Sequence, residues 1–130
     1  MRPPFDVQQF FDVFARYNTT VWPAQLALVL AALVAVGLAF RGRRVVGLIL
    51  GALWLWMGGV YHLVFFRAIN RAATGFGVLF LLEGVLLIAV AVGQRPLEFR
   101  WTPTVSGGAG AALLVYALIV YPVLGFALGH

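Results

Sequence analysis

Four side chains of this 130-residue sequence combine reactive chemistry with an apolar setting: Glu83, His62, Tyr121 and Gln25. Glu83 stands alone in LFLLEGVLLIAV, residues 79–90, where no other residue is ionisable. A carboxyl, an imidazole, a phenol and an amide can glue helices together through hydrogen bonds. The same groups can carry protons for a transporter, or meet a partner subunit. His62 also invites a metal or haem reading. One His, one Glu and one Tyr on three helices fall short of a ligand set, so no metal is expected and no cofactor is specified. The chain has no cysteine and no lysine, and its single serine, Ser106, lies in a connection. With no phosphate loop, zincin helix or dinucleotide fingerprint either, an enzyme is not expected.

The elements that must position these residues follow from composition. Hydrophobic residues make up 63% and charged residues 10%, against about 45–50% and 25% in soluble domains. Four apolar runs separate themselves: 21–40, 45–66, 75–93 and 107–129. Twenty residues of helix span about 30 Å, the thickness of a bilayer core. In lipid each run must be helical, because a helix satisfies its own backbone. The expected fold is all-α, a single membrane domain over 1–130 built as a four-transmembrane-helix bundle.

Residues 6–18 read as an amphipathic helix lying along the interface. Asp6 and Gln9 resemble a capping box, and Val7, Phe10, Phe11, Phe14 and Tyr17 share one face. A docking helix for a partner is the competing reading. Trp22 and Pro23 then open the first span, with Thr19 or Thr20 as its cap. Phe10, Phe11, Phe14 and Trp22 are the expected interfacial anchors. Trp54, Trp56, Tyr61, Phe65 and Phe66 give the second span an aromatic wall, suited to packing and anchoring. It would also suit a pigment, a quinone or a lipid, without specifying which.

The net charge is +5, and all nine basic residues are arginines spread over short segments beside apolar runs. That pattern sets membrane topology and is not a nucleic-acid patch. Together with the Ala, Val, Gly and Leu excess, it suggests a GC-rich bacterial genome and a multi-pass protein of the cytoplasmic membrane. The three arginines of RGRR, residues 41–44, place that loop in the cytoplasm and both termini outside. Ala27, Ala31, Ala35 and Ala39 form a ladder on the first span; Gly47 with Gly51 and Gly125 with Gly129 are further small pairs suited to close helix packing.

Depth along the helices places Glu83 and Tyr121 at one level, about 12 Å in, with Gly58 and Gly59 leaving room for a neighbour's side chain. His62 and Gln25 lie one layer shallower. Beyond Glu83, on the cytoplasmic side, only Tyr116 is polar. A through-pathway needs polar groups on both sides of the middle, so a structural network or an outward-facing pocket is the better reading. The expected function is a structural or accessory subunit of a larger membrane complex, with lipid and either other subunits or copies of itself as partners. A small proton- or ion-coupled transporter using Glu83 is the alternative, and a membrane sensor with an outward pocket the third.

Several stretches carry a resemblance: FARYNTTVWPAQ (14–25), LWLWMGGVYHLVFFRAIN (53–70), LEFRW (97–101) and YALIVYPVLGFALGH (116–130). Together they resemble an uncharacterised bacterial family of multi-spanning membrane proteins, a domain of unknown function. The resemblance covers nearly the whole chain. It implies no reaction, and draws attention to Tyr17, Asn18, Trp22, Pro23, Tyr61, His62, Asn70, Tyr121, Pro122 and His130. The sequence departs from the family pattern at Arg71, where proline usually follows the asparagine. The family pattern also continues past Gly-His into a Pro-Cys-Pro-Thr-Thr segment, so the chain is expected to be either a short form or part of a longer protein with a further helix.

Overall fold

A computed structural model describes residues 5–41, 44–94 and 97–128. Gly129 and His130, and the middle of RGRR, lie outside them. The described residues are mostly helical, without a strand. Four helices are long and apolar enough to cross a membrane: Val7–Ala39, Val45–Ala68, Ala72–Val92 and Val105–Ala127.

Helix α1 (Val7–Ala39) starts at the Asp6 capping box. Asp6 Oδ1 accepts from the Gln9 N–H at 2.7 Å and Gln9 Oε1 from the Asp6 N–H at 3.0 Å. It then runs for 33 residues, about 50 Å. The expected interfacial helix 6–18 and first span are therefore one helix. Thr19 does not cap anything: its hydroxyl donates back to the carbonyls of Ala15 (3.0 Å) and Arg16 (3.1 Å). Pro23 lies inside the helix, where it removes the bond to the Thr19 carbonyl. A brace spans the gap, since Gln25 Nε2 donates to Asn18 Oδ1 at 2.7 Å from the other side of Pro23. The continuity has a packing cause. Phe10, Phe14, Tyr17, Val21, Leu28 and Ala35 are buried or half-buried at steps of three, four or seven residues, so one stripe runs through the proline. Trp22 lies off that stripe and is exposed, as is Phe11.

Helix α2 (Val45–Trp56) continues into a π-helical segment (Met57–Phe65) and a 3-10 turn (Phe66–Ala68). The wider winding is visible in the Phe66 N–H, which donates to the Tyr61 carbonyl as well as that of His62. Helix α3 (Ala72–Val92) follows at once, because Asn70 Oδ1 accepts from the Ala72 N–H at 3.0 Å. The third helix thus begins three residues before the expected Gly75. Helix α4 (Val105–Val115) is capped by Thr104, whose hydroxyl accepts from the Gly107 N–H at 3.1 Å. A second π-helical segment (Tyr116–Val120) joins it to α5 (Tyr121–Ala127). There Pro122 sits at the start of α5, and the Tyr121 N–H reaches back five residues to Tyr116. A local π turn is a common accommodation of a proline ring.

The chain divides into two compact units, residues 1–99 and 100–130. In the first, α2 packs antiparallel on α3 and α1 lies against α2. The α2–α3 seam is built on glycines. A Cβ on Gly51 would stand 2.8 Å from the Gly84 carbonyl oxygen, and one on Gly84 would stand 2.9 Å from that of Gly51. Gly58 and Gly77 repeat the arrangement at 2.8 and 3.1 Å. Both pairs are spaced seven residues apart, the repeat that keeps one face of each helix against its partner. Ala73 (1% exposed) and Ala91 extend the seam on α3, and Gly47 meets Ala91. Of the alanine ladder on α1, Ala35 is buried, Ala31 and Ala39 are half-buried and Ala27 is exposed. In the second unit no described residue is buried, and Gly125 is half-buried.

Candidate functional site

The strongest convergence of polar and aromatic side chains lies where the π-helical segment faces the first half of α1. Tyr17 is 7% exposed and its hydroxyl accepts from Trp56 Nε1 at 2.9 Å. Its ring meets Tyr61 and Phe65 edge-on, at centroid distances of 5.3 and 5.4 Å. Tyr61 stacks on Phe66 at 5.3 Å. Phe5 and Phe10 close over Phe66 at 5.7 and 5.5 Å. Edge-on pairs place the positive rim of one ring on the negative face of the next. One hydrogen bond pairs the indole N–H and a phenol oxygen in an otherwise apolar setting, where an unmet donor is costly.

Two of the expected interfacial residues join this packing. Phe10 and Phe14 stack on each other at 6.1 Å and are half-buried. Phe10 turns toward the end of α2, so it packs protein as well as facing outward.

His62 sits on the other flank of the segment, toward α3. Its ring lies 4.8 Å from Phe80 and 6.1 Å from Phe76, and its buried Nδ1 has no hydrogen-bond partner. Phe80 in turn packs on Trp54 at 4.4 Å. Glu83 is half-buried. Within the first unit, and among the described residues, it has no hydrogen-bond or ion-pair partner. Within the first unit the three expected polar residues have separate surroundings: Gln25 bonds Asn18, His62 packs among phenylalanines and Glu83 stands unpaired. Tyr121 belongs to the second unit, where it is exposed and tilts against Tyr116 at 6.5 Å. The room expected beside Gly58 is filled by Gly77 and Leu81, whereas Gly59 borders open space.

Among the described residues, no three of His, Cys, Asp and Glu stand close enough together to hold a metal ion. Sequence reading by depth passed over Tyr17, Trp56 and Asn18 as bonding residues. Tyr17 enters the sequence reading as part of an apolar face, Trp56 as part of an aromatic wall and Asn18 only through the resemblance; no spacing rule signals the Tyr17–Trp56 bond.

The fold and site define an all-helical protein with four helices of membrane-spanning length and apolarity, the first three held by a glycine seam and an aromatic cluster. The chain belongs to a family of unknown function, DUF6064, whose model matches residues 7–130. No curated protein matches it, and no solved structure does.

Proposed function

We propose that this is a small multi-pass membrane protein serving a non-catalytic role as a structural or accessory subunit of a larger membrane assembly. The carrying observation is the contrast between two glycine-bearing surfaces. In the α2–α3 seam a Cβ would strike the facing backbone at Gly51, Gly58 and Gly84. Within the second unit, Gly108 and Gly110 on α4 have nothing within 4 Å, and no residue of the 105–127 helix is buried. In lipid, small residues gain their value by letting a second helix approach closely. Helix α4 thus offers a docking face. The unpaired Glu83 fits the same role, since a carboxyl among apolar side chains gains from a donor on a neighbouring subunit.

A proton-coupled transporter has less support. Neither His62 nor Gln25 partners Glu83, so no relay leads from it.

The test is the assembly state in mild detergent. Native mass measurement should find the chain in particles well above its own 14.1 kDa. Gly108→Leu with Gly110→Leu should release it as a folded monomer. A wild-type protein that is monomeric in several mild detergents and in nanodiscs refutes the subunit role.

A further inference from the structure

The mouth of the first unit, where α1 passes the end of the α2 helix, holds a cleft of about 300 Å³ lined by Val13, Arg16, Thr20, Val64, Phe65 and Ala68. Val13, Arg16 and Thr20 are spaced three and four residues apart, so they share one face of α1. Two of the six lining side chains are polar, the Arg16 guanidinium and the Thr20 hydroxyl, and the other four, Val13, Val64, Phe65 and Ala68, are hydrocarbon. The Arg16 guanidinium has no ion-pair partner among the described residues. Asp12, one turn earlier, is the nearest acid in sequence, and its Oδ1 is engaged by Gln8 Nε2 at 2.9 Å.

A second hollow of about 430 Å³, lined by Arg67, Ala68, Ile69, Asn70 and Arg71, shares Ala68 with the first. Three arginines therefore line a depression made of two adjoining hollows that meet at Ala68, and neither lining contains an acid. Arg67 follows directly on Phe66, where the apolar run of the second helix ends. That is the level at which phosphates lie when such a helix spans a bilayer.

We propose that this depression is a binding site for one anionic phospholipid, its phosphate held by Arg16 and Thr20 and one acyl chain laid along Val64 and Phe65. Charge complementarity chooses the occupant. Unpaired arginines ask for phosphate, for which guanidinium geometry is suited. The hydrocarbon wall asks for a ligand with a tail, which a free anion lacks.

The inference rests on the membrane reading. Failure of that reading would appear separately, as protein released from the membrane fraction by an alkaline carbonate wash. The lipid test uses the purified full chain given equimolar phosphatidylglycerol and phosphatidylcholine, with bound lipid read by native mass spectrometry. Wild type should retain phosphatidylglycerol in preference. Arg16→Gln should cut that preference about fivefold, the effect of about one surface arginine, and Arg16→Lys should keep most of it. Arg41→Gln, at the other end of α1, should leave it unchanged. Should Arg16→Gln accumulate poorly, Thr20→Glu places an acid in the same lining and should reduce the preference as well. Equal retention of the two lipids, no effect of Arg16→Gln, or an equal loss in Arg41→Gln overturns the site. Displacement of the lipid by excess inorganic phosphate also overturns it, leaving a simple anion site.

Discussion

Gly58 and Gly59 are neighbours in one π-helical segment, yet they face different surroundings. A Cβ on Gly58 would lie 2.8 Å from the Gly77 carbonyl oxygen and 3.0 Å from both the Leu81 backbone nitrogen and its Cγ. A Cβ on Gly59 would meet nothing within 4 Å. Ordinary contact begins at 3.4 Å, so Gly58→Ala must move α3 by about 0.6 Å, since backbone cannot turn aside as a side chain can. Overpacking of this kind costs about 1–3 kcal/mol. Replacing glycine by alanine in a helix also gains up to about 1 kcal/mol, but that term is shared by adjacent positions and drops out of their difference. Gly59→Ala should therefore be neutral or mildly stabilising, with Gly58→Ala about 1–3 kcal/mol below it. The reciprocal pair gives a sharper check. Gly51→Ala and Gly84→Ala each force the same two backbones apart, so the double substitution should cost clearly less than the two singles together. Reversible unfolding in mixed micelles, followed by the fluorescence of the four tryptophans, measures all five variants. Equal stabilities for Gly58→Ala and Gly59→Ala, or strict additivity at Gly51 and Gly84, would refute the glycine seam.

Tyr17→Phe keeps the ring and removes the acceptor of the Trp56 N–H; it should cost about 1–2 kcal/mol, and Trp56→Phe in the same background should cost little more, read by the same unfolding assay. Glu83→Leu should stabilise the purified chain by about 1–3 kcal/mol, because the carboxyl has no partner in its own unit, while lowering recovery of the larger assembly; destabilisation of the isolated chain would show that Glu83 is already satisfied. Cysteines placed singly at the exposed positions Ala72 and Gln94 should label differently with an impermeant reagent on intact cells, Ala72→Cys from outside and Gln94→Cys only after permeabilisation, the reverse overturning the orientation drawn from the arginines.

The lengths and apolarity of four helices were legible because lipid-spanning helices need long runs without charge, and such runs survive any uncertainty about packing. The Asp6–Gln9 capping box was legible for a similar reason: all its atoms lie within four residues. Pro23 was not. Thr-Thr-Val-Trp-Pro satisfies the local rules for a helix start, and the same residues fit a helix interior when a brace and a continuous stripe hold it. The deciding contacts, Tyr17 on Trp56 and Phe10 on Phe66, lie 39 and 56 residues away in sequence. The seam was half legible. Four-residue spacing pointed to Gly47 and Gly51, but the register in use is seven, pairing 51 with 84 and 58 with 77, and it emerges only when both helices are laid antiparallel.

The polar residues show what depth alone leaves undetermined. Counting residues from a helix end gives height along the axis, whereas partnership also needs rotation about it. Gly84 faces α2 in the seam, so Glu83, one residue earlier, points about 100° away and clears that contact. Gly58 faces α3, so His62, four residues on, returns to nearly the same face and packs against Phe76 and Phe80. Glu83 and His62 thus differ in height as well as bearing, since the pairing of 51 with 84 and 58 with 77 sets Glu83 opposite residue 52 of α2, well below His62. The widened winding of the Met57–Phe65 segment adds to the turn, since each π-helical step shifts the residues beyond it by part of a helical turn. That shift sets Tyr61 and Phe65 toward Tyr17 while His62 stays with α3, so the aromatic cluster and the histidine on adjacent residues serve two different helices.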